Sequence, residues 1–463
     1  MADPISTPLR HPEFRGRMGV ARVEITPPIG IYARTWGSAR HDQAEGVHRP
    51  LLATCLSFED ARGGDELILI TLDAMIFWQE EADRIRAVIL QGRRLKPHQL
   101  ILHPSHSHST PFYLRRQMDR PGGDLIAPYL ASIPTRCCEL IDEARAQARD
   151  AILTWAYGRC ELAFNRDAID PASGRDVCGL NLAVEADHTV LVGRIAAPDG
   201  AVYATIVNYA CHPVSLGGGN RLLSPDYVGA MREVVEQQTG GAICVFFQGA
   251  AGDVTPRRSY ESDVEAADQN GRELGYAALS TLTAMFPPGQ QLVYQGIEES
   301  GTALGIWRLR PKASVSTQLS AERITARLPI REMPEREELE HRLAHSSDRV
   351  EIERLERALD RRKLVGDGTE GDLSCTVWRL GESFLVATPA EPYTQFQIAL
   401  RQQFPDAAVA VLMASDGAKN YLPPPAAFQR DVYQVRVSLY EAGALERVTA
   451  QVAHAIQAAR VTA

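Results

Sequence analysis

The chain has 463 residues, 45% of them hydrophobic, enough to bury one large core or several smaller ones. A formal net charge of −9 excludes the basic footprint that nucleic-acid binding needs, and a polybasic membrane anchor with it. No apolar run reaches the roughly 18 residues of a spanning helix, and the opening "MADPISTPLRHPEFRGRMG" has no signal-peptide core.

Residues 1–15 read as an N-terminal tail. "LLATCLSF" and "ELILITLDAMIF" follow as apolar strands, with "EDARGGD" between them as a hairpin-like turn. Next comes "ILHPSHSHSTPFYL", which holds His103, His106 and His108. On an extended backbone His106 and His108 point to one face and can serve one metal, since imidazole is the commonest metal ligand. Alone, H-x-H is a weak signal, because a polar surface loop gives the same pattern.

Apolar residues at three- and four-residue spacing predict a helix over 127–153, carried by Leu130, Ile133, Cys137, Leu140, Ile141 and Ala144. "TVLVGRIAAPDGAVYATIVNYA" predicts two strands around a Pro198-Asp199-Gly200 turn. His212 follows directly, at a strand end, where functional residues are often carried. "AICVFFQGA" reads as a strand covered on both faces. It runs into Gly249, Ala250, Ala251 and Gly252, then Asp253 and Thr255. Free N–H groups in such a loop could hold an oxyanion, and a tight turn capped by Asp253 fits equally well.

The charged, helix-prone stretch 320–363 predicts a helical hairpin, with "HSSD" closing one helix and capping the next. It forms an insertion at 312–370, a solvated decoration in the first instance and otherwise a lid or dimer contact. "TVWRLGESFLVAT" is a further hairpin, and "AVAVLMAS" one more strand. Between them Glu391 follows a strand end and is flanked by Pro389 and Pro392. It could be a metal ligand, a general base or a helix N-cap neighbour. Two His and one Glu on separate strand ends would supply a catalytic zinc set with an open position.

Strands mixed with helices indicate an α/β (mixed α+β) fold, one large domain over 16–463 with mixed sheets. Eight scattered cysteines without a C-x-x-C pair read as reduced thiols, so a cytoplasmic location is expected. There is no G-x-S-x-G elbow and no H-E-x-x-H helix, which disfavours common serine hydrolases and zincins.

In this order the motifs resemble the neutral, non-lysosomal ceramidase family. "GVARVEITPPIG" resembles its "G-x-A-x-x-x-I-T" stretch and "SHSHSTP" its "T-H-T-H-S-G-P" motif. "FNR", "YACHPVS", "GAAGDVTP" and "ATPAEPYT" resemble its "N-R-S", second histidine, "G-D-V-S-P" and "P-x-E-x-T" segments. "NYLPPPAAFQRDVYQVRVSLYEAGA" resembles its tyrosine stretch. The likeness spans 16–309 and 372–445. It implies a zinc amidohydrolase whose metal is held by His106, His212, Glu391 and Tyr421. His108 would sit beside the metal, and Arg166 would be the active-site arginine. Thr255 stands where the family has its serine, a departure that keeps the hydroxyl and adds a methyl. The family's C-terminal β-sandwich is not expected here.

The function that the resemblance implies is cleavage of the amide of an N-acyl amine, ceramide-like or smaller, through metal-activated water. Two other readings remain open: a metal-dependent lactone or ester hydrolase, and a non-catalytic zinc-binding scaffold. The expected partner is a small or lipid-like N-acyl substrate, with a homo-oligomer contact through the insertion as a further expectation.

Overall fold

A computed structural model describes residues 7–60, 65–366 and 368–461. Eight strands form the main sheet: β1 (Glu13–Glu24), β2 (Leu52–Glu59), β3 (Glu66–Leu72), β4 (Leu100–Pro104), β5 (Arg149–Arg159), β6 (Thr189–Ala196), β7 (Val202–Tyr209) and β8 (Ile243–Gln248). Their order is β8-β7-β6-β5-β1-β2-β3-β4. Only β3–β4 and β7–β8 pair in parallel; the other neighbours are antiparallel. An exposed two-stranded arm, β9 (Gln290–Ser300) and β10 (Thr302–Pro311), leads to a second sheet. That sheet is β11 (Leu319–Pro329), β12 (Glu370–Leu380), β13 (Ser383–Ala387) and β14 (Ala408–Leu412), in sequence order.

Strand alternation sorts these residues into layers. Leu56, Leu67 and Leu69 point from the main sheet onto Trp378, Leu385 and Leu412 of the second, in one core. Cys55, Ile68 and Ile70 point the other way, under α1 (Gln79–Arg93) and α2 (Ile126–Ala146). Val190, Val207 and Phe246 pack likewise on α3 (Tyr227–Gln238) and α4 (Val264–Thr283). The outer face of the second sheet, with Cys375, Val386 and Val411, is covered by α7 (Gln395–Gln403) and α8 (Ala444–Val461). The architecture is therefore helix, sheet, sheet, helix, as a mixed α/β chain with strands buried on both faces requires.

His103 joins the two edges of the curled main sheet. Its Nε2 accepts the Gln248 N–H at 2.8 Å, and its Nδ1 lies 2.9 Å from Ser415 Oγ. Residues 413–416 thread the same seam: Met413 N donates to Gln248 O, and Asp416 N to Leu102 O. Asp416 Oδ1 in turn accepts from Leu102 N.

Three expectations need correction. The helix predicted over 127–153 stops at Ala146, and β5 begins at Arg149. Ile152 and Leu153 continue the apolar pattern but belong to the strand, where period two serves them as well. The tail predicted over 1–15 is shorter, because β1 begins at Glu13, whose buried carboxylate pairs with Lys312 at 2.8 Å. The insertion predicted over 312–370 is also shorter. Its first part is β11, whose inward Ala326 and Leu328 alternate with outward Thr325 and Arg327, so its charges mark one exposed face. Only α5 (Arg336–His345) and α6 (Arg349–Val365) form the helical hairpin, and Asp348 caps α6 through Glu351 N–H. Strands β2 and β3 pair antiparallel as expected; most of the "EDARGGD" turn lies outside the described residues.

Candidate metal centre and its cavity

Each proposed ligand follows a strand. His106 lies two residues beyond β4, and His212 three residues beyond β7. Glu391 follows β13 and pairs with Tyr421, which follows β14, in a short parallel ladder. The H-x-H backbone is not extended, which corrects the period-two reading. His106 sits at φ 68°, a left-handed conformation uncommon for a non-glycine residue. That kink, rather than strand alternation, brings the His106 and His108 rings to 5.2 Å.

The chemistry of the cluster follows from its hydrogen bonds. His106 Nδ1 lies 2.8 Å from Met75 O, and His212 Nδ1 lies 2.7 Å from Ala251 O. A carbonyl can only accept, so both Nδ1 atoms carry the hydrogen and both Nε2 atoms present lone pairs. Those Nε2 atoms face each other at 3.2 Å. Glu391 Oε2 lies 3.4 Å from each of them. Tyr421 Oη lies 3.4 Å from His212 Nε2. Among the described residues no hydrogen-bond donor satisfies the buried Glu391 Oε2 or His108 Nε2.

Acceptors converging on acceptors repel one another unless a cation lies among them. A tetrahedral shell of N and O donors at about 2.0–2.1 Å has edges of about 3.3 Å, which the measured separations match. His106, His212 and Glu391, with Tyr421 beside them, therefore fit a metal ion. His106, His108 and His212 also form a buried or half-buried triad whose ligand atoms lie within 4.8 Å of one another. His108 is thus close enough to be a ligand itself, not only a neighbour.

Electrostatics favours the metal-ready state. Burial, then Arg166, pushes His212 down to about 3. Burial, then His106 and His212, holds His108 well below the ordinary histidine value. Burial alone would raise the Glu391 carboxyl; positive charge at the His106 and His212 side of it outweighs burial and holds it well below the usual range, the part a cation among the three would play. The Tyr421 phenol is pushed up by burial and then by Glu391.

The other candidates divide. Arg166 is buried in the cavity wall, with its guanidinium 5.4 Å from the Tyr421 ring centre and donating to Gly252 O at 2.7 and 3.1 Å. Thr255 is buried in a strand beside Phe164 and does not line the cavity; its hydroxyl faces the Tyr260 phenol. The loop before it is no oxyanion hole. Gly249 N, Ala250 N and Gly252 N already donate to Tyr209 O, Gln397 Oε1 and Pro392 O. Gly252 is small for another reason: a Cβ there would lie 2.8 Å from Glu391 O, so it lets the Glu391 segment approach. Asp253 accepts from Thr394 N and Oγ1, fixing the start of α7.

The cluster opens into a cavity of about 430 Å³ lined by Trp36, Trp78, Phe112, Tyr260 and Tyr433. That volume falls in the range of small-molecule sites, about 300–1,000 Å³. Arg357 and Arg361 of α6 complete its wall. The hairpin is therefore a roof over the site, which corrects its reading as a decoration. Glu353 accepts from Arg34 at 2.6 Å, Glu356 and Asp360 from Arg116 at 3.0 and 2.8 Å, and Arg349 and Lys363 pair with Asp42 and Glu80. The sequence reading missed Arg357, Arg361, Trp36 and Tyr260. An Arg pair at i,i+4 was the one available signal, and in a charge-rich helix it looks like an exposed face.

No known family model and no curated protein matches the sequence. Solved structures do match the fold. Neutral ceramidase from Pseudomonas aeruginosa gives a TM-score of 0.66 at 14% identity, over 96% of this chain and 73% of that one. A ceramidase complexed with C2 gives 0.68 at 14% identity, over 97% of this chain and 76% of that one. The chain therefore has the fold of neutral ceramidase, with a cluster fit for a metal on its strand-end loops.

Proposed function

We propose that the protein is a zinc-dependent hydrolase that cleaves the amide bond of an N-acyl amine. One observation carries this reading: acceptor atoms of His106, His212 and Glu391 from three distant segments converge at 3.2–3.4 Å, with Tyr421 beside them. Nitrogen and oxygen donors at these spacings suit zinc. A zinc ion there would polarise the scissile carbonyl and make water nucleophilic near neutral pH.

The protein's own groups do the rest. Met75 O and Ala251 O fix the tautomers of His106 and His212 and aim both Nε2 atoms inward. The Tyr421 phenol, kept protonated by burial, donates to the carbonyl oxygen as that oxygen gains charge. Arg166 holds the Tyr421 ring in place. His108 offers a free Nε2 at the cavity wall to orient the substrate. Thr255 is not the nucleophile in this scheme, because a hydroxyl nucleophile needs an adjacent base and the group against its hydroxyl is the Tyr260 phenol, which burial keeps protonated.

The test is metal content by elemental analysis, together with turnover on N-acyl amines and on lactones of matched chain length. About one zinc per chain and a preference for the amides are expected. A metal-free, fully active protein would overturn the mechanism, and faster lactone cleavage would overturn the substrate assignment.

A further inference from the structure

The cavity wall is unbalanced in charge. Three guanidinium groups line it, from Arg166, Arg357 and Arg361, against the single carboxylate of Glu391. Glu391 is taken up by the histidine cluster. Arg166 is held by Gly252 O. Arg357 donates one bond to Thr35 O at 3.2 Å and lies 5.0 Å over the Phe112 ring, with no carboxylate partner.

Arg361 is the sharper case. It forms no hydrogen bond or ion pair with any described residue, and its sequence neighbour Asp360 is already engaged by Arg116. The two side chains stand one turn apart on α6, at i,i+4, and so share a face. Burial lowers Arg361 from the ordinary arginine value; the Tyr433 phenol partly offsets this, and Arg357 adds to it. A desolvated cation beside a like charge is unfavourable unless an anion joins it. Apart from Arg354, which is exposed to solvent, the other charges of α6 are paired, so an unpaired Arg pair facing the cavity is the exception on this helix.

We propose that Arg357 and Arg361 bind an anionic oxygen pair on the substrate, a carboxylate or a phosphate. The amines released would then carry an acidic group, with N-acyl amino acids as the simplest class. Guanidinium forks match both groups in geometry. The aromatic walls would take the acyl chain, and a positive cavity would draw such substrates in. This assignment rests on the amide-hydrolase reading above.

The experiment compares N-octanoylglycine, N-octanoyl phosphoethanolamine and neutral N-octanoylethanolamine on the zinc-loaded full chain. The wild type should favour one of the two acids over the neutral amide by about tenfold or more in kcat/KM, and the acid preferred identifies the anion. In Arg357→Gln and Arg361→Gln that ratio should collapse, while Arg361→Lys should retain part of it. Unfolding temperatures separate misfolding from lost recognition. If no compound is turned over, the amide reading fails, and calorimetric binding of the same three compounds decides the anion site alone. Equal affinity for the neutral and anionic compounds, or a ratio unmoved in both Gln variants, overturns the proposal.

Discussion

The floor and the roof of the cavity are held by opposite kinds of contact. On the floor, backbone carbonyls fix each histidine, and the ligands lie at the ends of strands buried on both faces. On the roof, α6 is fixed by side-chain ion pairs whose partners are mostly part-exposed, and among the described residues of the hairpin only Leu339 of α5 and Leu355 of α6 are well buried. Exposed pairs contribute about 0–1 kcal/mol each and are screened by salt. The floor is thus built to keep a geometry, and the roof to be adjusted. In the proposed function, chemistry belongs to the first and choice of substrate to the second.

The hardest test of this contrast is on the floor. His212→Ala should abolish stoichiometric metal binding and lower kcat by about 100-fold or more, beyond the effect of losing a mere supporting group. Elemental analysis beside a hydrolysis assay reads both, and a variant that keeps its metal would break the comparison.

Acid tests the floor's scaffold. His103 titrates at about 3 in the folded chain because burial, then His106, disfavours its charge; its ordinary value is 6.5. The unfolded chain therefore binds the proton first, and stability is full above 6.5 and lost as pH falls from there toward 3. The loss should reach about 2 kcal/mol by pH 5, read from urea midpoints, and His103→Gln should flatten that slope. A slope unchanged in the variant would assign it to other groups.

Salt tests the roof. Between 0.1 and 1 M the screening length falls from about 10 to about 3 Å. Amide exchange in α6 should speed up by about three- to tenfold, while exchange in β4 and β7 should stay put. Equal protection of both regions would erase the distinction. The smallest effect expected is that of Thr255→Val, which removes a hydroxyl that does not line the cavity, at constant shape. Activity within about twofold of wild type is predicted, against near-complete loss if Thr255 were the nucleophile.

The sequence was most legible where chemistry forces a residue type. His106, His212, Glu391 and Tyr421 each stand in a short segment after an apolar strand, and the structure brings all four together. It was least legible where two patterns overlap. Ile152 and Leu153 suit a helix or a strand, and the outward charges of β11 conceal its inward Ala326 and Leu328. The role of α6 was legible only as one alternative, a lid, beside a solvated decoration, since a helix salt-bridged to its own chain and one bathed in water have the same composition. Nor could the kink at His106, because a positive φ leaves no mark on a residue other than glycine.

The seam closed by His103 and Asp416 sets an order of assembly. Asp416 accepts the Leu102 N–H across 314 positions of sequence, and Tyr421 meets His212 across 209. Contacts that distant form late, after the loops between them have been closed. During synthesis the first two histidines are therefore exposed long before their carboxylate and phenol exist. The candidate metal centre is thus assembled only once all four segments are in place, and a nascent fragment would offer an ion only half of the cluster.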